Sequence, residues 1–303
     1  MKNRFGLILK LSLGLLILYF ILKKVGVTEL VNTISQIDIF FLPMALFFFL
    51  LTLFLGALNL YFLLCYGLNI KLKFFRILKY SLLSWSFGMF IPGKLGEFSF
   101  AYFLKKRKVP VWRSFIILTM DKIITLFTLL SLTFIGFYLF LSVNQFLNLL
   151  IFFLIFGMIF FYVLIIFKEK NWLKRFLPKK FALSISQFSN GFFYMLKKRK
   201  KLLFLNTGLT FTKWFLSGIF HYFLFLSLGF DLNFGIVFLI TAMVTIISLI
   251  PISISGLGVR ESAAVYLYSL FLIPVYISLG VALIAVTTSY IISILFFISL
   301  RWR

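Results

Sequence analysis

The chain has 303 residues, is 63% hydrophobic and has a mean hydropathy of +1.12. This composition excludes an ordinary soluble domain and is typical of a polytopic membrane protein. The formal net charge is +24, from 31 lysines and arginines against 7 aspartates and glutamates, but no basic stretch falls in a soluble domain. We therefore predict no nucleic-acid partner, and we assign the basic residues to short loops that set topology and contact anionic lipid.

A helix needs about 20 apolar residues to cross the core of a bilayer. Two lysines close the first apolar segment and no small-residue cleavage site follows it, so we expect a retained first helix rather than a signal peptide. By length and apolarity the sequence predicts six full spans, at about 5–23, 39–66, 112–141, 147–167, 202–228 and 275–300.

Two further apolar segments, at about 77–104 and 235–272, are each interrupted by proline and glycine. Their arms are too short to cross, because a helix of about 14 residues rises only about 21 Å against a bilayer core of roughly 30 Å. Each segment is therefore predicted to be a re-entrant helical hairpin that enters the membrane and returns on the same side.

The distribution of lysine and arginine predicts on which side of the membrane each loop lies. Basic residues concentrate in both termini and in the loops 71–79, 105–113 and 168–201. Neither residue occurs in the loops 142–146, 229–234 and 272–274. The positive-inside rule then places every strongly basic loop and both termini in the cytoplasm only if both hairpins are re-entrant. The lysine pair that closes the first span is the one exception.

Under this topology the chain contains two similar halves. Residues 1–141 and 147–303 each contain span, span, hairpin and span, and an odd number of crossings per half inverts the second half relative to the first. Inverted repeats with interrupted helices are typical of secondary transporters that bind substrate near the bilayer midplane. We predict an all-α fold, a single membrane domain over 1–303 with six full spans and two re-entrant helical hairpins arranged as an inverted repeat, in the cell (inner) membrane.

The loop 168–201 is strongly basic, and its apolar residues recur at spacings of three and four. This pattern predicts a basic amphipathic helix that lies on the inner leaflet. A solvated linker is the alternative.

The two breaks contain the same ingredients: a proline first, then two glycines and a cation, and a glutamate last. They read Pro92-Gly93-Lys94-Leu95-Gly96-Glu97 and Pro251-Ile252-Ser253-Ile254-Ser255-Gly256-Leu257-Gly258-Val259-Arg260-Glu261. Charged groups at membrane depth are costly and indicate a functional site. Since helix N-termini bind phosphate, we predict that the returning arms, with Lys94 and Arg260, hold a phosphate group. The alternative is that Lys94–Glu97 and Arg260–Glu261 are structural ion pairs.

Other isolated polar residues lie inside the predicted spans. Asp121 and Lys122 are either a buried ion pair that holds the first hairpin or part of a polar path. His221 is expected to be a hydrogen-bonded packing residue, and Lys213 is expected to extend to the cytoplasmic interface. The chain has one histidine and one cysteine, which leaves no histidine-based triad and no metal cluster. We therefore predict no enzymatic activity, no cofactor and no metal.

At these stretches the sequence resembles the lysylphosphatidylglycerol synthase transmembrane region family, also called flippase-like integral membrane proteins. The matching residues are Pro92 to Glu97, Asp121-Lys122 and Ser255 to Glu261. The resemblance implies movement of a lipid between leaflets, or a role in handling lipid-linked glycans. In bifunctional members a soluble aminoacyl-transferase domain follows the membrane region. This chain ends at Arg303, directly after its last predicted span, so we expect the membrane part alone.

We predict a flippase or transporter that moves a phospholipid or a lipid-linked substrate between leaflets, with membrane lipids as its partners. A membrane glycosyltransferase, or an accessory protein in lipid-linked glycan synthesis, is the alternative. The predicted substrate-binding residues are Pro92, Gly93, Lys94, Gly96, Glu97, Asp121, Lys122, Ser255, Gly256, Gly258, Arg260 and Glu261.

Overall fold

The computed structural model describes residues 2–140, 179–250 and 252–301, and all regular elements in these ranges are helical. The α-helices of this described part are α1 (Lys2–Val25), α2 (Val27–Ser35), α3 (Phe41–Phe62), α4 (Phe74–Phe90), α5 (Ser99–Lys105), α6 (Val111–Phe140), α7 (Lys179–Lys198), α8 (Lys200–Ser227), α9 (Phe234–Ser248), α10 (Val259–Ser269) and α11 (Val275–Arg301). A π-helical turn follows α3 at Leu63–Gly67, and 3-10 helices lie at Pro92–Phe98 and Ile254–Gly256. The described side chains exclude those of residues 2–9, 24, 92–94, 179–182 and 300–301.

Four helical stretches are long and apolar enough to cross a bilayer, and they correspond to four of the six predicted spans. They are Phe41–Gly67, Val111–Phe140, Lys200–Ser227 and Val275–Ser299. The first predicted span forms α1, which together with α2 is a fifth candidate. The predicted span 147–167 lies outside the described residues. The protein is therefore a multi-pass membrane protein.

An 86° bend separates α1 from α2, and the sequence did not lead us to expect α2. Gly26 occupies the bend with a φ of +88°, in the left-handed region that glycine adopts without strain. Leu30 of α2 is buried, and the nearby Asp38 N–H donates to the Ser227 carbonyl over 2.8 Å. The Asp38 bond attaches the segment after α2 to the C-terminal end of α8, and α2 itself packs against α11.

Buried hydrogen bonds join α3 to α8, which pack along each other. The side-chain amide of Asn59 donates to the Thr210 hydroxyl over 3.0 Å, and that of Asn206 donates to the Asn59 carbonyl over 3.2 Å. Residues three or four apart share one face of a helix, so these bonds turn the face that contains Lys213 toward Gly56 of α3. The Lys213 Cδ atom lies 4.0 Å from where a Cβ on Gly56 would stand.

Residues 74–105, here called the first unit, comprise α4, the 3-10 helix after it and α5. The chain reverses direction within this unit. The reversal is seen in the rings of Tyr80 and Phe103, one on each arm, which stack with centroids 5.5 Å apart. The Arg107 Nε group donates to the Tyr80 hydroxyl over 3.1 Å. The returning arm therefore runs back along α4, and the two ends of the unit are adjacent.

Gly96 allows the two arms of the first unit to meet backbone to backbone. A Cβ at this position would collide with the carbonyl group of Phe87 and would lie 2.7 Å from the Gly88 nitrogen. Gly88 on α4 faces Glu97, the residue after Gly96, since a Cβ on Gly88 would lie 2.9 Å from the Glu97 Cγ atom. Two glycines thus determine where Glu97 stands.

Residues 234–269, here called the second unit, comprise α9, the second break and α10. Ser255, Gly256 and Gly258 have φ values of 52°, 78° and 79°, so the break turns through left-handed backbone. A Cβ on Gly258 would lie only 2.6 Å from the carbonyl oxygen of Gly14 in α1. Helices α9 and α10 pack on each other through a shared core that contains Val237, Ile240, Met243, Ala264 and Leu267.

The breaks of the two units contact each other. The Ser255 hydroxyl donates to the Met89 sulfur over 3.8 Å, which connects the second break to the end of α4. The Ser293 hydroxyl of α11 donates to the Ser86 carbonyl of α4 over 3.3 Å. The end of α4, the second break and α11 therefore converge.

The basic segment 168–201 contains α7. Phe192 and Met195 of α7 are buried, and Met195 packs against Gly67 at the end of the π-helical turn. Leu183 and Leu196 are exposed. Part of the apolar face that we expected to meet lipid therefore packs on the protein, and the position of the helix on the inner leaflet stays a prediction.

Candidate functional site

A cavity of about 370 Å³, here called the first cavity, lies beside the break of the first unit. Its walls come from α3, α4, α6, α8 and α9 together with the start of the returning arm. The charged side chains that line it are Glu97, Asp121, Lys122 and Lys213. Three of these four were predicted as site residues from the sequence.

Lys122 links α6 to the first break. Its ammonium group forms an ion pair with Glu97, and it lies 3.7 Å from the Asp121 carboxylate. The side chains of Asp121 and Glu97 are 10% and 17% exposed, whereas that of Lys122 is 42% exposed. Lys122 therefore connects α6 to the first unit, as in one of the two alternatives raised from the sequence, and both residues line the cavity. That they belong to a polar path stays a prediction.

Lys213 also lines the first cavity, and the sequence analysis did not assign it to the site. It follows Lys200, the first residue of α8, by 13 positions, a rise of about 20 Å. A lysine side chain is too short to reach the start of α8 from there, and Lys213 lines the first cavity. The expectation that it extends to the cytoplasmic interface stays a prediction. The signal that identifies it is a cation near the middle of a 28-residue helix.

A second cavity, of about 170 Å³, lies beside the second unit. Arg260 and His221 line it, together with the hydroxyl groups of Thr241, Ser248 and Ser289 among others. The Nδ1–H group of His221 donates to the Ser217 carbonyl over 2.8 Å, as expected of a hydrogen-bonded packing residue.

Glu261 is fully buried at the start of α10. One carboxylate oxygen accepts the Gly258 N–H over 2.5 Å, and the other lies 3.4 Å from the Arg260 Nε atom. The anion position at this helix N-terminus is therefore filled by the chain's own carboxylate. In the first unit the α5 N-terminus continues from a 3-10 helix, where the Ser99 N–H bonds back to the Gly96 carbonyl.

The remaining predicted residues shape the breaks. Ser255, Gly256 and Gly258 form the turn of the second unit, and Ser255 is buried. Pro92, Gly93 and Lys94 contribute backbone to the first 3-10 helix. Their side chains are outside the described part, and so is the predicted Lys94–Glu97 pair.

A family model described as lysylphosphatidylglycerol synthase TM region matches residues 7–296. The chain belongs to this family. The match extends over both units and both cavities, and it confirms the resemblance inferred from the motifs. No curated protein matches the chain.

In this member of the lysylphosphatidylglycerol synthase TM region family, the two cavities share a wall. Residues that line both are Thr52, Leu53, Trp85, Trp214, Ser217 and Thr245. Among the described side chains, the charged groups of the two breaks that line a cavity thus line different ones. Glu97, Asp121 and Lys122 lie on one side of the shared wall, and Arg260 lies on the other.

Proposed function

We propose that this chain moves lipids with a polar headgroup between the leaflets of the membrane. The headgroup passes through the two cavities while the acyl chains stay in the surrounding bilayer. The observation that carries this proposal is the first cavity, a space of about 370 Å³ with four charged side chains among apolar helices. Such groups are costly within a membrane and usually have a functional role. Membership of the family supports a lipid-related role.

We further propose that both units are re-entrant and that they enter from opposite sides as parts of an inverted repeat. The adjacency of the two ends of the first unit, through Arg107 and Tyr80, supports re-entry from the side of the basic loops. In this arrangement the first cavity opens to the cytoplasm, the second opens to the outside, and both chain termini are cytoplasmic. The membrane is the cell membrane.

Transport in this proposal requires the shared wall to open. Trp85 and Trp214 are its largest members, and both border both cavities. Rocking of one half of an inverted repeat against the other is how such transporters exchange access. The lipid crosses chemically unchanged, and we propose neither a cofactor nor a metal.

The experiment that tests the function uses purified protein in vesicles that contain a fluorescent phosphatidylglycerol. Dithionite, which does not cross the bilayer, bleaches the outer leaflet only. Vesicles with the protein are expected to lose nearly all fluorescence, because inner-leaflet lipid is brought outward. Protein-free vesicles, and vesicles with an unrelated polytopic protein, lose only the outer-leaflet share. Loss in the protein vesicles that stops at the same level would refute the function.

A further inference from the structure

We infer that Lys213 is the residue that binds the phosphodiester group of a lipid headgroup in the first cavity. This inference rests on the proposed function and deepens it. It replaces the helix N-termini, which the sequence analysis assigned to phosphate, by a side chain that the sequence analysis left out of the site.

The first step is the pairing of the charges. Lys122 is engaged by two carboxylates, those of Glu97 and Asp121. No carboxylate oxygen of the described residues lies within 4.0 Å of the Lys213 ammonium group. That group lies 5.3 Å from the centre of the Trp214 ring, a weak partner compared with a carboxylate. Lys213 is therefore the lysine of this cavity whose charge remains available.

The second step is the position of that charge. Lys213 stands on α8 near the middle of a candidate span, with its stem close to Gly56 of α3. The carboxylates and Lys122 stand on α6 and the first break, on other walls of the same cavity. The formal charges of Glu97, Asp121 and Lys122 sum to −1, and the positive charge of Lys213 stands on a different wall, so the cavity is polarised. An ammonium group that has no carboxylate oxygen of the described part of the chain within 4.0 Å is costly at this depth, and a bound anion offsets that cost.

The third step is the kind of hydrogen-bonding group among the other residues that line the first cavity. The Thr125 hydroxyl and the Trp214 indole nitrogen belong to residues that line the cavity, and within the described part of the chain both atoms are buried without a hydrogen-bond partner. An indole N–H only donates, a hydroxyl can donate, and an ammonium donates three times. A phosphodiester offers only acceptor oxygens, so these donors match it.

The source of the phosphodiester is a lipid rather than a free solute in this inference. The cavity lies among helices that are long and apolar enough to cross a bilayer, where acyl chains can remain in the bilayer. The same chemistry is present in glycerophosphoglycerol, which is phosphatidylglycerol without its acyl chains. The experiment therefore includes both molecules.

The test measures the thermal shift of purified full-length protein in detergent when short-chain phosphatidylglycerol is added. A ligand that binds the native state raises the melting temperature with its concentration. We expect Lys213→Met to weaken the apparent affinity about ten- to hundredfold, the usual loss of a charged hydrogen bond. Lys213→Arg should retain binding, and Lys201→Met, at the exposed start of α8, should match the wild type. Short-chain diacylglycerol, which lacks the phosphodiester, should give no shift.

Each outcome decides one point. An equal shift in Lys213→Met and the wild type, or no shift in the wild type, would overturn the inference. Without lipid, Lys213→Met should melt no lower than the wild type, because it removes a charge without an ionic partner; this separates lost binding from lost folding. A wild type that binds the lipid but fails to move it refutes the function and leaves the inference intact. Glycerophosphoglycerol that binds as tightly as the lipid would overturn the lipid as the source.

Discussion

Replacing Gly96 by alanine is expected to destabilise the protein by about 3 kcal/mol, at the upper end of the cost of overpacking. The added methyl group would collide with the carbonyl of Phe87 and come within 2.7 Å of the Gly88 nitrogen. Both neighbours are backbone atoms of α4 and cannot move aside as a side chain can. The returning arm has to separate from α4, which also displaces Glu97 from Lys122.

The measurement is the melting temperature of the purified variant, followed by intrinsic fluorescence. Gly208→Ala is the matched control, because Gly208 lies in α8, is exposed and has no atom within 4 Å of an added Cβ. This control should be neutral or slightly stabilising, by up to about 1 kcal/mol, since alanine is the better helix former. Equal melting temperatures for the two variants would contradict the backbone contact in the first unit.

Glu261→Gln is expected to cost about 3 kcal/mol, the lower end of the range for breaking a buried ion pair. Glu261 is fully buried and Arg260 is 25% exposed, so part of the loss is screened. Glutamine keeps the volume and one oxygen that can accept the Gly258 N–H. What it removes is the negative charge, which balances Arg260 and interacts favourably with the N-terminus of α10.

Two further variants separate the charge from the cap. Glu29→Gln places the same change on an exposed residue in the first turn of α2, and its melting temperature should match the wild type. The double variant Arg260→Met with Glu261→Gln removes both charges and should recover much of the stability. If Glu261→Gln melts like the wild type, the carboxylate serves only as a hydrogen-bond acceptor.

The sequence was sufficient to predict the features that depend on local composition. Four of the predicted spans follow from apolar length, and both breaks follow from proline and glycine inside apolar segments. The two interrupted segments predicted at 77–104 and 235–272 begin within a few residues of the starts of α4 and α9. These features need only the bilayer as a solvent, so no knowledge of packing is required.

The features that were missed depend on how helices are turned toward one another. Glu97 pairs with Lys122 because α6 packs beside the first unit, and no short spacing encodes that contact. Lys213 faces the first cavity because the hydrogen bonds of Asn59 with Thr210 and Asn206 fix the rotation of α8. The apolar face of α7 has the same pattern whether it meets lipid or protein, so its contacts with α6 and with the π-helical turn after α3 were not readable.

The measurement that tests the central claim most directly compares two glycine-to-leucine variants in the dithionite assay. Gly56 lines the first cavity, and a Cβ there meets only the Lys213 Cδ atom, at 4.0 Å, so a leucine side chain extends into the cavity. Gly208 is exposed and has open space, so Gly208→Leu adds the same bulk elsewhere on α8. A headgroup that has to share the cavity with this leucine is overpacked, at a cost of about 1–3 kcal/mol. We therefore predict about a tenfold or greater fall in the rate of lipid movement for Gly56→Leu. Gly208→Leu should move lipid at the wild-type rate. Equal rates for both variants would contradict a lipid route through this cavity.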